Sequence, residues 1–244
     1  MKNFIKKFFR FKNLETCVTN LILLVLVLGV FFLAFAGNIK SVYLSENNIN
    51  AIYLGNTKNN NVSLMINVYW GTEYIKPILD VLKEENVKAT FFVGGTWANS
   101  NSEVLKEIYT NGHEIANHGY YHKDHKYLSQ SRNQEEIYIT HKLVKSLIDY
   151  DMSLFAPPSG SYNEQTLEVA NNLGYKTIMW SKDTIDWRDK DANLVFERAT
   201  KNAKNGYLIL MHPTSHTLKA LKDIISFYKT NGFNLTTVSE TISE

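Results

Sequence analysis

Two hydrophobic patterns divide the chain. From Leu21 to Ala36 the positions are almost all apolar and no polar face recurs, whereas beyond Val62 short apolar runs alternate with amphipathic stretches of helical period. The second pattern predicts strands and helices in turn: Ser63 to Val68 then Glu73 to Glu85, Lys88 to Val93 then Ser102 to Asn111, and Glu114 to Asn117 then Gln134 to Tyr150. It continues with Leu154 to Ala156 then Asn163 to Leu173, Lys176 to Trp180 then Ala192 to Ala203, Tyr207 to Met211 then Thr217 to Asn231, and a last strand from Asn234 to Val238. Glycines at helix exits, as in Asn111-Gly112 and Leu173-Gly174, fit left-handed caps. Alternation without a long all-strand block implies a parallel sheet covered by helices. The expected fold class is therefore α/β, a distorted (β/α) barrel of about seven parallel strands. A doubly wound nucleotide binder is the second choice, since no dinucleotide-type glycine loop is present.

The apolar run follows Lys2, Lys6, Lys7, Arg10 and Lys12 and is followed by Lys40, an order that means membrane targeting. It predicts a basic cytoplasmic leader over 1–20, a transmembrane helix over 21–39, an Asn- and Ser-rich tether over 40–61 with a short strand around Ile52 to Leu54, and a working domain over 62–244. By the positive-inside rule that domain lies on the extracytoplasmic face of the cell membrane, held by a single pass. Ala34-Phe35-Ala36 has the small-x-small form of a signal-peptidase site, so cleavage would make the domain secreted; the length of the run favours an uncleaved anchor.

Composition narrows the function classes. The 244 residues are 44% hydrophobic and 13% aromatic, enough for a substantial core. A net charge of +2 with no basic stripe argues against nucleic acid as a partner. Cys17 is the one cysteine, so no intramolecular disulfide forms, and it does not follow the apolar run as a lipid-attachment site would.

Candidate chemistry collects at strand tips. Asn67, His118, Ala156, Asp183 and His212 all fall at or just past the carboxyl ends of expected strands, the face on which a barrel builds its site. His118 and His122, four apart beside Gly119, can converge on one divalent metal; a pair of hydrogen-bonded loop histidines is the plain alternative. His212 ends an apolar strand, and Asp183 and Asp186 stand between these histidine segments. Asp186 reads equally as a turn carboxylate or a ligand-binding one, and Trp70, Trp97 and Trp180 read as core. His113, His125, His141 and His216 read as structural or surface residues.

Five segments in order now resemble the polysaccharide deacetylase family, carbohydrate esterase family four, and in detail its sporulation-associated members. They are Met65 to Gly71, with the strand Lys88 to Val93; Gly112 to His122; Phe155 to Gly160; Trp180 to Trp187; and Leu210 to His212, and the likeness spans Val62 to Glu240. The resemblance implies a metal-dependent N-deacetylase acting on an N-acetylated glycan, peptidoglycan or chitin-like. It implies that His118 and His122 hold a divalent metal, zinc or similar, and that His212 is the acid, oriented by Asp183. Trp187, Leu210, Pro158 and Ser159 would line the substrate groove.

Two departures cut against turnover. At the base position the resemblance finds Asn67, which cannot accept a proton, and no carboxylate follows as a third metal ligand. The arginine expected before the prolines is Ala156. Losing both is coherent, because an arginine facing a neutral amide is a costly unpaired buried charge. The metal is then lost or weakly held. Glu73 and Asp124 are the carboxylates near enough in sequence to replace the base. Two classes stay open: an impaired, membrane-anchored deacetylase, and a pseudo-deacetylase that binds glycan or an envelope partner.

Overall fold

The computed structural model describes residues 14–36 and 49–243, with side chains over 18–30 and 49–243. The leader lysines, Lys40, the Cys17 side chain and the first part of the expected tether lie outside the described residues. Helix α1 runs Leu14–Ala36, starting earlier than the apolar pattern alone requires. Its side chains from Val18 to Val30 are all exposed. Among the described residues no helix is long and apolar enough to cross a membrane.

From Ile49 on the chain forms a separate compact unit. Its elements are β1 (Asn61–Val68), α2 (Thr72–Glu84), β2 (Thr90–Val93), α3 (Gly95–Ser100), α4 (Ser102–Thr110), β3 (Glu114–Asn117), α5 (Gln130–Ile148) and β4 (Leu154–Phe155). After these come α6 (Glu164–Asn172), β5 (Lys176–Thr177), β6 (Lys182–Asp183), α7 (Ala192–Thr200), β7 (Leu208–Met211), α8 (Ser215–Thr230), β8 (Asn234–Thr236) and α9 (Val238–Ile242). Seven strands pair in parallel in the order β5-β4-β3-β2-β1-β7-β6, and β8 joins the start of β1. This is the expected parallel (β/α) architecture, curled as a half-barrel. The sequence pattern did not mark β6, whose two polar residues carry no apolar signal.

Part of the expected tether is built into this unit. Ile52 bridges Ile178 just past β5, and Leu54 bridges Tyr207 just before β7. The Ile52–Leu54 segment thus spans from one flank of the sheet to the other, and Asn56 N–H bonds the Thr241 carbonyl at 2.8 Å.

Strand alternation explains both cores. Leu64, Ile66, Phe91, Ile115 and Ile209 turn outward under the helices and pack with Ile78, Leu82, Leu105 and Ile224. Met65, Phe92, Ala116, Leu154, Ile178 and Leu208 turn inward as a second, separate cluster. That inner layer is the floor of the site.

Two positions tie the sequence to stability. Gly71 joins β1 to α2 at φ 74°, and a Cβ there would lie 2.0 Å from the Pro213 carbonyl, beside His212; Gly174 has φ 82° with nothing within 4 Å. Gly174→Ala is expected to cost about 1 kcal/mol for its left-handed backbone, and Gly71→Ala about 3 kcal/mol or more, as read by chemical denaturation. Equal losses would count against the close approach.

His113 is the second position. It precedes β3, its Nδ1 accepts from Ala89 N–H at 3.3 Å, and burial pushes its imidazole down to about 4. The folded state therefore prefers the neutral ring, so this contribution is complete above about pH 6.5 and is lost as pH falls toward 4. Across that window His113→Gln should remove a pH-dependent loss of about 3 kcal/mol in unfolding free energy, less whatever the substitution itself costs.

Candidate active site

Two residues beyond the inner layer, the same strand faces present Asn67, His118, Ala156 and Leu210 in place of Met65, Ala116, Leu154 and Leu208. Asn67, His118 and Leu210 line a cavity of about 410 Å³. Tyr69 and Trp70 from the β1–α2 loop line it too, with His122, Ser159, Trp180, Asp183, Trp187 and His212. The structure thus brings together the predicted His118, His122, Asp183, His212, Asn67, Trp187, Leu210 and Ser159. Pro158 is not among the lining residues; it is buried, close against Gly119. Its expected substrate contact is corrected accordingly, because the 3-10 turn over Pro158–Gly160 directs Ser159 rather than the ring to the cavity.

The histidine loop is tightly held. Asn117 donates to the Ile137 carbonyl at 2.8 Å and accepts from Gly119 N–H at 2.9 Å, and the buried Glu136 carboxylate accepts from Tyr120 and Tyr121 N–H at 2.8 and 2.7 Å. Arg132 neutralises Glu136 at 2.9 Å. His125 is buried beneath Gly119 and bonded to Asn133 at 2.7 Å, a brace for the turn as its structural reading implied. His122 takes φ 53°, which turns its ring back to meet His118 edge-on at 5.1 Å between centroids.

His118 Nδ1 lies 2.8 Å from the Ala156 carbonyl. A carbonyl only accepts, so Nδ1 carries the proton and Nε2 is left with the lone pair. This contact needs only the backbone of residue 156, so it survives whatever side chain stands there. Burial holds the His118 imidazole well below its ordinary value, with His122 adding to the effect; His122 is lowered by burial and then by His212. Both rings are thereby kept in the neutral, ligating form.

Asn67 is buried, and its Oδ1 has no hydrogen-bond partner. This strand-end amide thus leaves an acceptor without a partner among the described residues, in the cavity that the two imidazoles also line. For a hydrolytic metal centre the set does not fit: among the described residues no group of three or more His, Cys, Asp or Glu side chains could hold an ion. Two imidazoles and a neutral amide lack the charge of a carboxylate ligand. Glu73 lines a neighbouring cavity and Asp124 lines neither, so neither stands in for the base here.

The acid pair needs a correction. His212 Nδ1 meets Asp186 Oδ1 at 2.7 Å, and His212 N–H donates to Asp186 Oδ2 at 2.6 Å. Thr217 on α8 adds a third bond to Oδ2 at 2.6 Å, and His216 bonds the Asp186 carbonyl. Asp183, expected as the orienting carboxylate, instead accepts from Ile185 N–H at 2.8 Å and faces the cavity. The reversal follows from Ile185 at φ 53°, which swings the next residues around so that Asp186 passes beneath His212. Both carboxylates and their spacing are visible in the sequence; which one reaches the imidazole is not.

Three aromatic residues that the sequence does not mark as site residues, Tyr69, Trp70 and Trp180, line the cavity. Tyr69 stacks on His122 at 4.4 Å and 19°, and Trp70 on His212 at 5.8 Å and 5°. Trp70 and Trp180 read as core from the sequence, yet both line the cavity, while Trp97 is core with Nε1 bonded to Thr72 at 2.9 Å. Nothing in composition separates these tryptophans.

The half-barrel with a histidine-rich pocket at its strand tips is consistent with the resemblance stated above, and comparison with known proteins identifies the family. Residues 54–178 match the family model described as polysaccharide deacetylase, and the chain belongs to that family. The chain is similar to YlxY of Bacillus subtilis, with 38% identity over 84% of this chain and 64% of that protein, so it spans just under two thirds of that relative's length. It is similar to the peptidoglycan-N-acetylmuramic acid deacetylase PdaA of Bacillus subtilis, with 30% identity over 80% of this chain and 76% of that one. Among solved structures it resembles a carbohydrate esterase family 4 pseudoenzyme from Bacillus anthracis, with TM-score 0.78 and 35% identity over 80% of this chain and 69% of that one. A mutant of that pseudoenzyme, described as having restored enzymatic activity, matches with TM-score 0.78 and 34% identity over 80% of this chain and 72% of that one.

The four contacts of Asp186 set its expected behaviour apart from that of Asp183. Asp186→Ala should cost about 3 kcal/mol in unfolding free energy by leaving buried donors unmatched, and Asp183→Ala less than about 1 kcal/mol. The reverse ranking would overturn the assignment of the His212 partner.

Proposed function

We propose that this chain is a membrane-anchored polysaccharide deacetylase homologue that engages N-acetylated glycan of the peptidoglycan type outside the cytoplasm and hydrolyses its amide poorly. The observation that carries this reading is the asymmetry of the cavity. The Asp186–His212 pair is complete, whereas the position facing the histidines offers only the unpartnered amide oxygen of Asn67. The anchoring is supported by the uninterrupted exposed apolar side chains of Leu21 to Leu28, which water solvates unfavourably.

Each remaining group has a definable task. With Nδ1 held by Asp186, His212 can present Nε2 to the cavity and hand a proton to the departing amine. Trp187, half exposed at the mouth, offers a ring face to a pyranose, and Leu210 an apolar surface to the acetyl methyl. What is missing is the acceptor for the proton of the attacking water. An amide cannot serve, and loss of a general base costs on the order of 10² to 10⁴ in rate. A second reading, binding without turnover, is favoured by the likeness to the Bacillus anthracis pseudoenzyme.

Acetate release from N-acetylglucosamine oligomers by the full chain tests the proposal. Activity is expected to be low and to fall further in His212→Ala. The double variant Asn67→Asp with Ala156→Arg should raise it more than the sum of the single changes, because carboxylate and guanidinium support each other. Ala156→Arg alone should destabilise the fold, since Ala156 is fully buried. No gain from a folded double variant would count against Asn67 as the base position.

A further inference from the structure

The replacements at positions 67 and 156 also change which charges the cavity carries. Family resemblance implies a metal cation and an arginine paired with the base carboxylate, but here Asn67 and Ala156 stand for both members of that pair and the residues at hand do not make a metal centre. Among the described residues the lining holds no lysine or arginine, and Asp183 is its one carboxylate. One oxygen of Asp183 accepts from Ile185 N–H at 2.8 Å; the other has no hydrogen-bond partner among the described residues. The neighbouring cation, Arg188, pairs with Asp189 at 2.9 and 3.0 Å, lies over Trp187 and feels the charge of Asp183 without bonding to it, and it does not line the cavity.

The same cavity is lined by four aromatic side chains, Tyr69, Trp70, Trp180 and Trp187. Stacking on His122 and His212 fixes the planes of Tyr69 and Trp70, so their rings are preorganised. Aromatic faces carry negative potential and attract ammonium groups, most strongly where the cation is partly desolvated. A cavity of about 410 Å³ accommodates one sugar residue and its substituent.

We propose that this cavity prefers the de-N-acetylated form of the glycan, holding the ammonium of a 2-amino-2-deoxy sugar against Asp183 within the aromatic walls. The proposal rests on the glycan reading above and specifies which form of the sugar is retained. Its ligand is the product of amide hydrolysis at an N-acetylated sugar, so an active N-deacetylase must act before it. The chain then recognises a modified glycan, and its own slow hydrolysis would leave product bound.

Isothermal titration of the full chain with two tetramers, one of N-acetylglucosamine and one of glucosamine, at mildly acidic pH tests this. The amine form is expected to bind about tenfold more tightly at low salt, with the advantage shrinking as salt rises. Asp183→Asn keeps an acceptor for Ile185 N–H, and should bring the two affinities within about twofold of each other. Equal affinities in the unaltered chain, or a preference that persists in Asp183→Asn, would overturn the proposal while leaving glycan binding intact. Binding of neither tetramer would overturn the glycan reading together with it.

Discussion

One buried carboxylate organises the carboxyl face of this half-barrel. Asp186 leaves the turn after β6 and receives the side chain and backbone of His212 past β7, and the hydroxyl of Thr217 in the first turn of α8. Its side chain is wholly buried, and so polar a group is tolerated there because its oxygens are matched to donors. The orientation of His212 therefore follows from a structural requirement of this carboxylate, whatever stands at position 67.

The other half is held by different means. His118 is aimed by the Ala156 carbonyl, and the His118-to-His122 loop by Asn117 and Glu136, none of which depends on a carboxylate at Asn67 or a guanidinium at 156. The histidine loop thus keeps its geometry with a neutral amide at position 67 and a methyl group at 156. The cavity it lines has aromatic walls, three imidazoles and one carboxylate.

The sequence carried the architecture well because the alternation of apolar runs and amphipathic stretches is set by local geometry. Strand tips follow from strand ends, so the sequence pattern places Asn67, His118, Ala156, Asp183 and His212 on one face. Failures arose where a single backbone angle decides direction. Ile185 at φ 53° sends Asp186 rather than Asp183 to His212, and the turn at Pro158 sends Ser159 inward instead of the proline ring. The two-residue strand β6 escaped for a related reason: its pairing comes from a neighbour distant in the chain.

The amino-acid order alone determined the parallel (β/α) scaffold, the family motifs and the neutral residues Asn67 and Ala156 within them, since each depends on residue type and spacing. Only the tertiary structure decided which carboxylate serves His212, that Tyr69 and Trp70 cover the imidazoles, and that Asn67 has an unfilled acceptor. Those outcomes depend on side-chain direction across segments far apart in the chain, and direction is set by packing and backbone dihedrals rather than by composition.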